Sequence, residues 1–515
     1  MSLYLRGILG RVARCARESD DRETAMVRSR LALHKPRASG LILAGTGAFL
    51  AFGLSGCATG PNAPGHAEFR TPLPIPPLAE SHLDVKGRRV FDLETRSGSR
   101  EFRPGVRTPT WGINGNHLGP TLRMTRGDRV LIRLRNALTE ATTMHWHGME
   151  LPAEMDGSPH QLVEPGEVWS PTWSVDQPAA TLWYHPHPHG ATEHHLYTGL
   201  AGFILVDDSQ AETLSIPSTY GVDDIPLLVQ DVAFDDNGAL VRRKPWYNQV
   251  GPLGRTILVN GALTPFLEVT RDRIRLRLLN ASIARVYNFG LSDDREFDLV
   301  ATDGGLLAEP HRTRRIQLSP GERAEIVIAV QPGDRVALRS FPQELRSDFA
   351  NNRFSGGRDT FELMELRARD VLEPSPPVPN RLASIPDPEP EEAERTRHVR
   401  VSSRTINGRA MDMARVDARI AAGTVEIWEV EGIAVPHNLH IHGVRFRVLD
   451  VDGVAPGPEL AGWKDTVYLD PDVVTRLLIR FPHHVSPDVP YMFHCHFLRH
   501  EDDGAMGQYL VVPGE

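Results

Sequence analysis

The sequence predicts an all-β protein built from three consecutive β-sandwich domains, and three observations carry that prediction. The chain has 515 residues, too many for a single core when a domain takes roughly 150. Its 44 glycines and 41 prolines divide it into short runs in which apolar and polar residues alternate, with almost no sustained 3.6-residue period. Three of those runs are versions of one strand: Gly127-Asp-Arg-Val-Leu-Ile-Arg-Leu-Arg-Asn136, Arg271-Asp-Arg-Ile-Arg-Leu-Arg-Leu-Leu-Asn280 and Gly423-Thr-Val-Glu-Ile-Trp-Glu-Val-Glu-Gly432. They recur about 145 to 150 residues apart, and each alternates apolar with charged residues at period two, as a strand with one buried face does.

Domains are expected at 83–208, 220–370 and 396–515. The stretch from Ala58 to Ala79 includes Pro61, Pro64, Pro72, Pro74, Pro76 and Pro77. That composition stays extended and suits a tether over 57–82, with folding beginning near Leu83. A second stretch, Val371 to Glu394, carries seven prolines and an acidic run and reads as a linker over 371–395.

The three cysteines, Cys15, Cys57 and Cys495, are too few for a disulfide framework, so each needs its own explanation. Cys57 closes Leu54-Ser55-Gly56-Cys57, directly after an uncharged apolar run from Leu41 to Leu54 and the basic residues Arg28, Arg30, Lys35 and Arg37. This resembles a bacterial lipoprotein signal. The apolar run is shorter than the ~18 residues of a spanning helix, which favours a cleaved signal over a membrane helix. Residues 1–56 are therefore expected to be an export segment, with 1–25 a mispredicted start ahead of Met26. Cys57 is expected to carry a lipid anchor at the membrane, facing the periplasm or cell exterior; an ordinary secretory signal with an incidental cysteine, or a retained amino-terminal segment, is the alternative. The segment before Cys57 holds nine Lys or Arg and four Asp or Glu, so the remainder stands at −14 when the whole chain is −9. Such a surface argues against nucleic-acid binding.

Four His-x-His pairs then stand out: His145-Trp-His147, His185-Pro-His187, His440-Ile-His442 and His494-Cys-His496. Two fall in the first domain and two in the last. In a strand, residues i and i+2 point to one side about 6.6 Å apart, so each pair offers two imidazoles to one space. Eight imidazoles are expected to line one interdomain cavity. Imidazole suits copper, zinc, iron and nickel alike, and the remaining ligands make the choice. Cys495, between two of the histidines, turns its sulfur to the opposite face. His437 has opposite parity to His440 and His442, and His500 follows five residues after Cys495. Together they form a His₂Cys set, the arrangement of blue, electron-transferring copper.

The motifs His145-Trp-His-Gly148, Trp183-Tyr-His-Pro-His187, His437-Asn-Leu-His-Ile-His-Gly443 and His494-Cys-His-Phe-Leu-Arg-His500, in this order, resemble those of the multicopper oxidases, bacterial laccase-like or copper-efflux-oxidase-like. The likeness covers nearly everything after residue 83. It implies Greek-key sandwiches of the cupredoxin kind and four copper ions: one type 1, one type 2 and two type 3. By resemblance, His145 and His440 hold type 2 copper, and His147, His185, His187, His442, His494 and His496 hold the type 3 pair. Cys495, His437 and His500 hold type 1. The resemblance further implies dioxygen as electron acceptor, with Asp156 and Glu501 matching acids that supply protons for its reduction. The other readings of those two are a surface turn at Asp156-Gly157 and a solvated charge or ligand partner at Glu501. His189, His194 and His195 lie beyond the family pattern and are expected to support the site or face solvent.

Three questions stay open at this level. The donor is a phenol, an aromatic amine, a bilirubin-like pigment or a metal ion; the 11 methionines form no cluster of the kind that guides cuprous ion in copper-efflux oxidases, which favours laccase-like oxidation. A non-catalytic structural protein on the same fold is a rival, opposed by the presence of every ligand position. Finally, ten residues after Cys495, where most bacterial members carry an axial methionine, this chain has Ala505, with Met506 one position late. The expectation is an axial position without a thioether; a bulge that shifts Met506 into register and a water beside Ala505 are the alternatives.

Overall fold

The computed structural model describes residues 68–514, apart from 244, 246, 247 and 385–387. Cys15 and Cys57, and with them the export segment and the lipidation site, lie outside the described residues. Strands dominate and form three cupredoxin-like sandwiches in chain order.

The three repeated segments are indeed strands, Arg129–Asn136, Arg273–Asn280 and Val425–Gly432, and each occupies the same place in its sheet. Each runs parallel to an earlier strand, respectively Arg89–Arg103, Asp224–Val232 and Arg395–Val401. Each also pairs antiparallel with a later one, Thr172–Ser174, Arg323–Ala329 or Val474–Arg480. The middle copy departs from the one-buried-face expectation, because Arg275 and Arg277 are buried. Their guanidinium groups pair with Glu325 and Asp224, and Arg277 also donates to Thr181 Oγ1 of the first domain at 2.8 Å. A charged position that reads as solvent-facing is here an interdomain contact.

Both proline-rich segments are more integrated than their composition suggests. Thr71–Pro72 pairs in parallel with Pro265–Arg271 at the edge of a second-domain sheet, Leu73 is buried, and Ala79 N donates to Thr121 O at 2.8 Å. The expected tether over 57–82 is therefore folded structure from Thr71 onward, ahead of Leu83. Proline lacks an N–H but keeps its carbonyl, so an edge strand tolerates it. Likewise the expected linker over 371–395 begins inside a strand, Phe361–Glu373, and Leu382 is buried with its N–H on Ala308 O at 2.9 Å.

The fold positions the histidines through two sheets. In the first domain, His145–His147 and Ala180–His185 are neighbouring antiparallel strands with His145 opposite His185. In the third, His437–Ile441 and Ser486–His494 are neighbours with His440 opposite His494. Directly opposed residues share a face, so each sheet collects its two pairs on one side. One apolar cluster joins the domains, drawing Trp183 and Phe203 from the first, Leu228 and Leu258 from the second, and Trp428, Phe493 and Cys495 from the third.

Candidate metal centre

All eight histidines of the four pairs are buried and converge between the first and third domains. Nε2 of His145 lies 3.4 Å from Nε2 of His440. Nε2 of His494 lies 3.1 Å from Nε2 of both His187 and His442. Nε2 of His185 lies 3.4 Å from Nδ1 of His147 and from Nε2 of His496. These contacts divide the rings into one pair and two triads, and the division coincides with the type 2 and type 3 sets that the family resemblance implies.

The outer ring nitrogens explain why the inner ones face each other. Nδ1 of His145 donates to Asp156 O at 3.0 Å, that of His185 to Pro186 O at 2.9 Å, and that of His440 to Asp465 O at 2.9 Å. His442 Nδ1 lies 2.7 Å from Asp156 Oδ2. A carbonyl oxygen only accepts, so Nδ1 must carry the proton and Nε2 must present a lone pair. Facing lone pairs at these separations have no proton between them, and a cation is what such a donor set fits. Burial, followed for most of them by the charge of neighbouring rings, pushes His147, His185, His440 and His442 well below the ordinary histidine range, and His187 and His496 down to about 3. These six rings are thus neutral, the state a metal requires.

Cys495 closes a second site. Its Sγ lies 3.5 Å from Nδ1 of His437 and 3.5 Å from Nδ1 of His500. The strand ends at His494, yet the chain stays paired, Cys495 N donating to Ala505 O at 3.1 Å, so the sulfur faces away from its neighbours' cluster as parity requires. A one-turn helix, Leu498–Asp502, carries His500 back. Here the outer nitrogens are Nε2: that of His500 donates to Gln249 O at 2.8 Å and that of His437 to Ile433 O at 3.3 Å. The two kinds of site thus use opposite tautomers. Burial pushes the Cys495 thiol up to about 12, so binding of a soft cation has to displace its proton.

The axial question is answered by register. Met506 is the cross-strand partner of His494, which puts it on the face of the eight-histidine cluster and opposite to that of Cys495. Ala505 shares the apolar cluster of Cys495, Phe497 and Leu498. Among the described residues, no thioether faces the Cys495 site from this strand.

Asp156 and Glu501, the expected acids, are both buried against ligand rings. Asp156 also lies 3.2 Å from His145 Nδ1 through Oδ1, and Glu501 lies 3.1 Å from His494 Nδ1 and 3.5 Å from His187 Nδ1. The neighbouring Gly157, at φ 77°, is obligatory, since a Cβ there would fall 1.7 Å from Met144 O. His195 is buried on Glu140 and Thr142, outside the cluster, while His189 is exposed.

Sequence reasoning missed Asn438, Asp465, Thr466 and Arg323. Asn438 accepts His496 N at 2.6 Å and lies 3.7 Å from Cys495 Sγ, while its amide donates to Pro320 O of the second domain at 2.8 Å. Its position inside the His437–Gly443 motif was a signal; Arg323 had none.

Profiles of the multicopper oxidase family match residues 94–211, 224–349 and 376–515. The chain belongs to the multicopper oxidase family. Its relatives include the multicopper oxidase Mco of Staphylococcus haemolyticus, 36% identical over 449 residues, covering 85% of this chain and 92% of the relative. They also include the cell division protein FtsP of Escherichia coli, 36% identical over 451 residues, covering 86% and 93%. Among solved structures, a laccase from Pediococcus acidilactici superposes with a TM-score of 0.78 at 33% identity, covering 86% of this chain and 94% of that one. A laccase-like CueO from Ochrobactrum, described as having oxidase activity towards lignin model compounds and lignosulfonate, gives 0.78 at 33% identity, covering 86% and 100%. The histidine cluster and the Cys495 site are the residues that would hold the copper that the family's name implies.

Two predictions follow from the geometry of these sites. In the copper-free chain, His187 and His496 fall from the ordinary 6.5 to about 3 on folding. Between those values the unfolded chain binds protons that the folded chain does not, so stability is full above 6.5 and lost as pH falls towards 3. The thermal midpoint of copper-free protein is expected to decline steadily from about pH 7 to about pH 4; a midpoint that rises over that range contradicts the buried neutral rings. At the type 1 site, Ala505→Met is expected to lower the reduction potential by on the order of 59 mV, a tenfold shift in a one-electron equilibrium, because a thioether donor favours cupric copper. Ala505→Leu controls for packing and Met506→Leu should change little. Redox titration of the blue band decides, and a large effect of Met506→Leu alone would refute the register.

Proposed function

We propose that this chain is a laccase-like oxidase that takes single electrons from phenolic, aromatic amine or metal-ion donors and passes them to dioxygen, which is reduced to water. The observation that carries the reading is the place of Cys495: its thiol belongs to one site while its peptide neighbours, His494 and His496, belong to the other. Bound copper supplies one-electron transfer at the first site and four-electron dioxygen chemistry at the second.

The protein's own part is position, insulation and protons. Both rings of the Cys495 site are buried, with their outer nitrogens held by the carbonyls of Gln249 and Ile433. A donor therefore meets these surrounding segments, and electrons cross to the cluster through the single peptide bond to His494 or to His496. Reduction of dioxygen to water consumes protons, and Asp156 and Glu501 are carboxylates in contact with cluster rings; in this reading they hold protons at the cluster's rim. The similarity to laccases, and the oxidase activity described for the Ochrobactrum protein, support the donor class. Kinship with proteins named for cell division favours a structural role as the second reading, and the complete set of converging ligands weighs against it.

Stopped-flow mixing of copper-loaded protein with a phenol separates the two half-reactions. Cys495→Ser is expected to remove the blue band and most dioxygen consumption while sparing the fold. Asp156→Asn and Glu501→Gln should leave bleaching of the band near parental rates and slow its return in air by about 10²-fold. Fully loaded wild-type protein that consumes no dioxygen with phenols, aromatic amines, cuprous or manganous ion would leave the structural reading standing.

We also propose that the chain is exported and anchored by a lipid on Cys57, on the strength of the signal-like sequence before it. Mass spectrometry of the mature amino terminus is expected to find a lipidated cysteine, with Cys57→Ala blocking processing or releasing the protein. An unmodified Cys57 in a soluble mature form refutes the anchor.

A further inference from the structure

The second domain supplies none of the eleven copper-directed side chains, yet one of its arginines reaches the cluster. Arg323 opens the strand Arg323–Ala329 and is fully buried. Its donors are all used: Nε on Thr181 O at 3.0 Å, Nη1 on Gly321 O at 3.1 Å and Asp465 Oδ1 at 2.7 Å, Nη2 on Asp303 O at 3.0 Å and Asp465 Oδ2 at 2.6 Å. One guanidinium thereby ties the first domain at Thr181, the second at Gly321 and Asp303, and the third at Asp465. A Cβ on Gly148, in the first histidine motif, would lie 2.6 Å from Asp465 Oδ2 and 2.8 Å from Arg323 Nη2. The ion pair is packed directly beneath that motif.

Asp465 in turn meets a cluster ring. Its Oδ1 lies 3.0 Å from Nε2 of His147 and accepts the Thr466 hydroxyl at 2.9 Å, and Thr466 Oγ1 itself lies 3.1 Å from the same Nε2. A carboxylate already receiving both arms of a guanidinium accepts and does not donate, and a hydroxyl that has given its proton to Asp465 can only accept. His147 must therefore carry its proton on Nε2. Its Nδ1, 3.4 Å from His185 Nε2, is left with the lone pair inside the cavity. That is the reverse of His145, His185, His440 and His442, whose Nδ1 atoms are the protonated ones. His147, His440 and Asp465 also lie close enough to one another to suggest a cation site, but the guanidinium already fills that cationic role.

We propose that Arg323 is a positioning residue for the trinuclear site: by pairing with Asp465 across the domain interface it fixes the one His147 tautomer that leaves Nδ1 free for copper. Loading of the cluster, but not of the Cys495 site, then depends on the docking of the ligand-free second domain. The inference rests on the multicopper reading above.

The full-length chain, its variants and the parent are reconstituted with copper in parallel, and copper per chain, the blue band and the electron paramagnetic resonance spectrum are recorded. Arg323→Met strands the Asp465 carboxylate in a buried place and risks misfolding. The paired variant Arg323→Met with Asp465→Leu removes both charges and is the decisive one, since replacing a whole buried pair by apolar residues is often tolerated. It is expected to keep the blue band while cluster copper binds about 10–100-fold more weakly. Arg323→Lys, a point charge without the planar fork, should fall between that variant and the parent. Full cluster loading in the paired variant overturns the proposal, as does loss of the blue band in step with cluster copper, which marks a general packing role. A parent chain that binds no copper at either site overturns the proposal together with the reading beneath it.

Discussion

A neutral imidazole buried away from water needs an acceptor for its one N–H and a use for its one lone pair, and the centre of this protein is arranged around that requirement. Backbone carbonyls and a few carboxylates take the N–H from outside the cluster. The lone pairs are left pointing at one another. Such an arrangement would be costly as an apolar core or as a protonated one, and it makes chemical sense around cations. The cost of burial falls on the charged form, which is why His147, His185, His187, His440, His442 and His496 stay neutral well below the ordinary histidine range.

Placing those rings takes two domains, and keeping them apart from the Cys495 site takes one residue. At Cys495 the chain passes from the face of the eight-histidine cavity to the opposite face and back. The same crossing makes the covalent path between the sites as short as one peptide bond, to His494 or to His496. Tautomers follow the crossing: ring nitrogens toward Cys495 are Nδ1, those toward the cavity mostly Nε2. His147 is the exception, and the exception is where the third partner, the second domain, enters.

That domain braces the other two. Arg277 reaches Thr181, Arg323 reaches Thr181 and Asp465, and Lys464 of the third domain is buried on Asp303 and Glu322 of the second. Burial works against every one of these charges, and each is retained because its partners saturate it. Burial alone would drive Arg323 down; the carboxylates of Asp465 and Asp303 outweigh it and hold the guanidinium charged. The repeated strand shows how one template came to do this. Its charged positions face outward in the first copy, but in the middle one they form buried ion pairs within the second domain, from which Arg277 also reaches Thr181 of the first.

The sequence by itself determined the three sandwiches, which eleven side chains would converge, and their division between two faces. All of these rest on local periodicity: a two-residue repeat decides which side a histidine or cysteine occupies, whatever the chain does elsewhere. The absent axial thioether at Ala505 was legible for the same reason. What lay beyond it were facts about approach in space. Proline-rich composition indicated a free tether where Thr71 onward is an edge strand, because composition reports what a segment lacks and not what it docks against. The roles of Arg323, Asp465 and Asn438 had to wait for the tertiary structure. A tautomer is set by whichever oxygen lies 3 Å from the far side of a ring, and for His147 that oxygen comes from a residue 318 positions away, held in place by an arginine of the domain that contributes none of the eleven converging side chains.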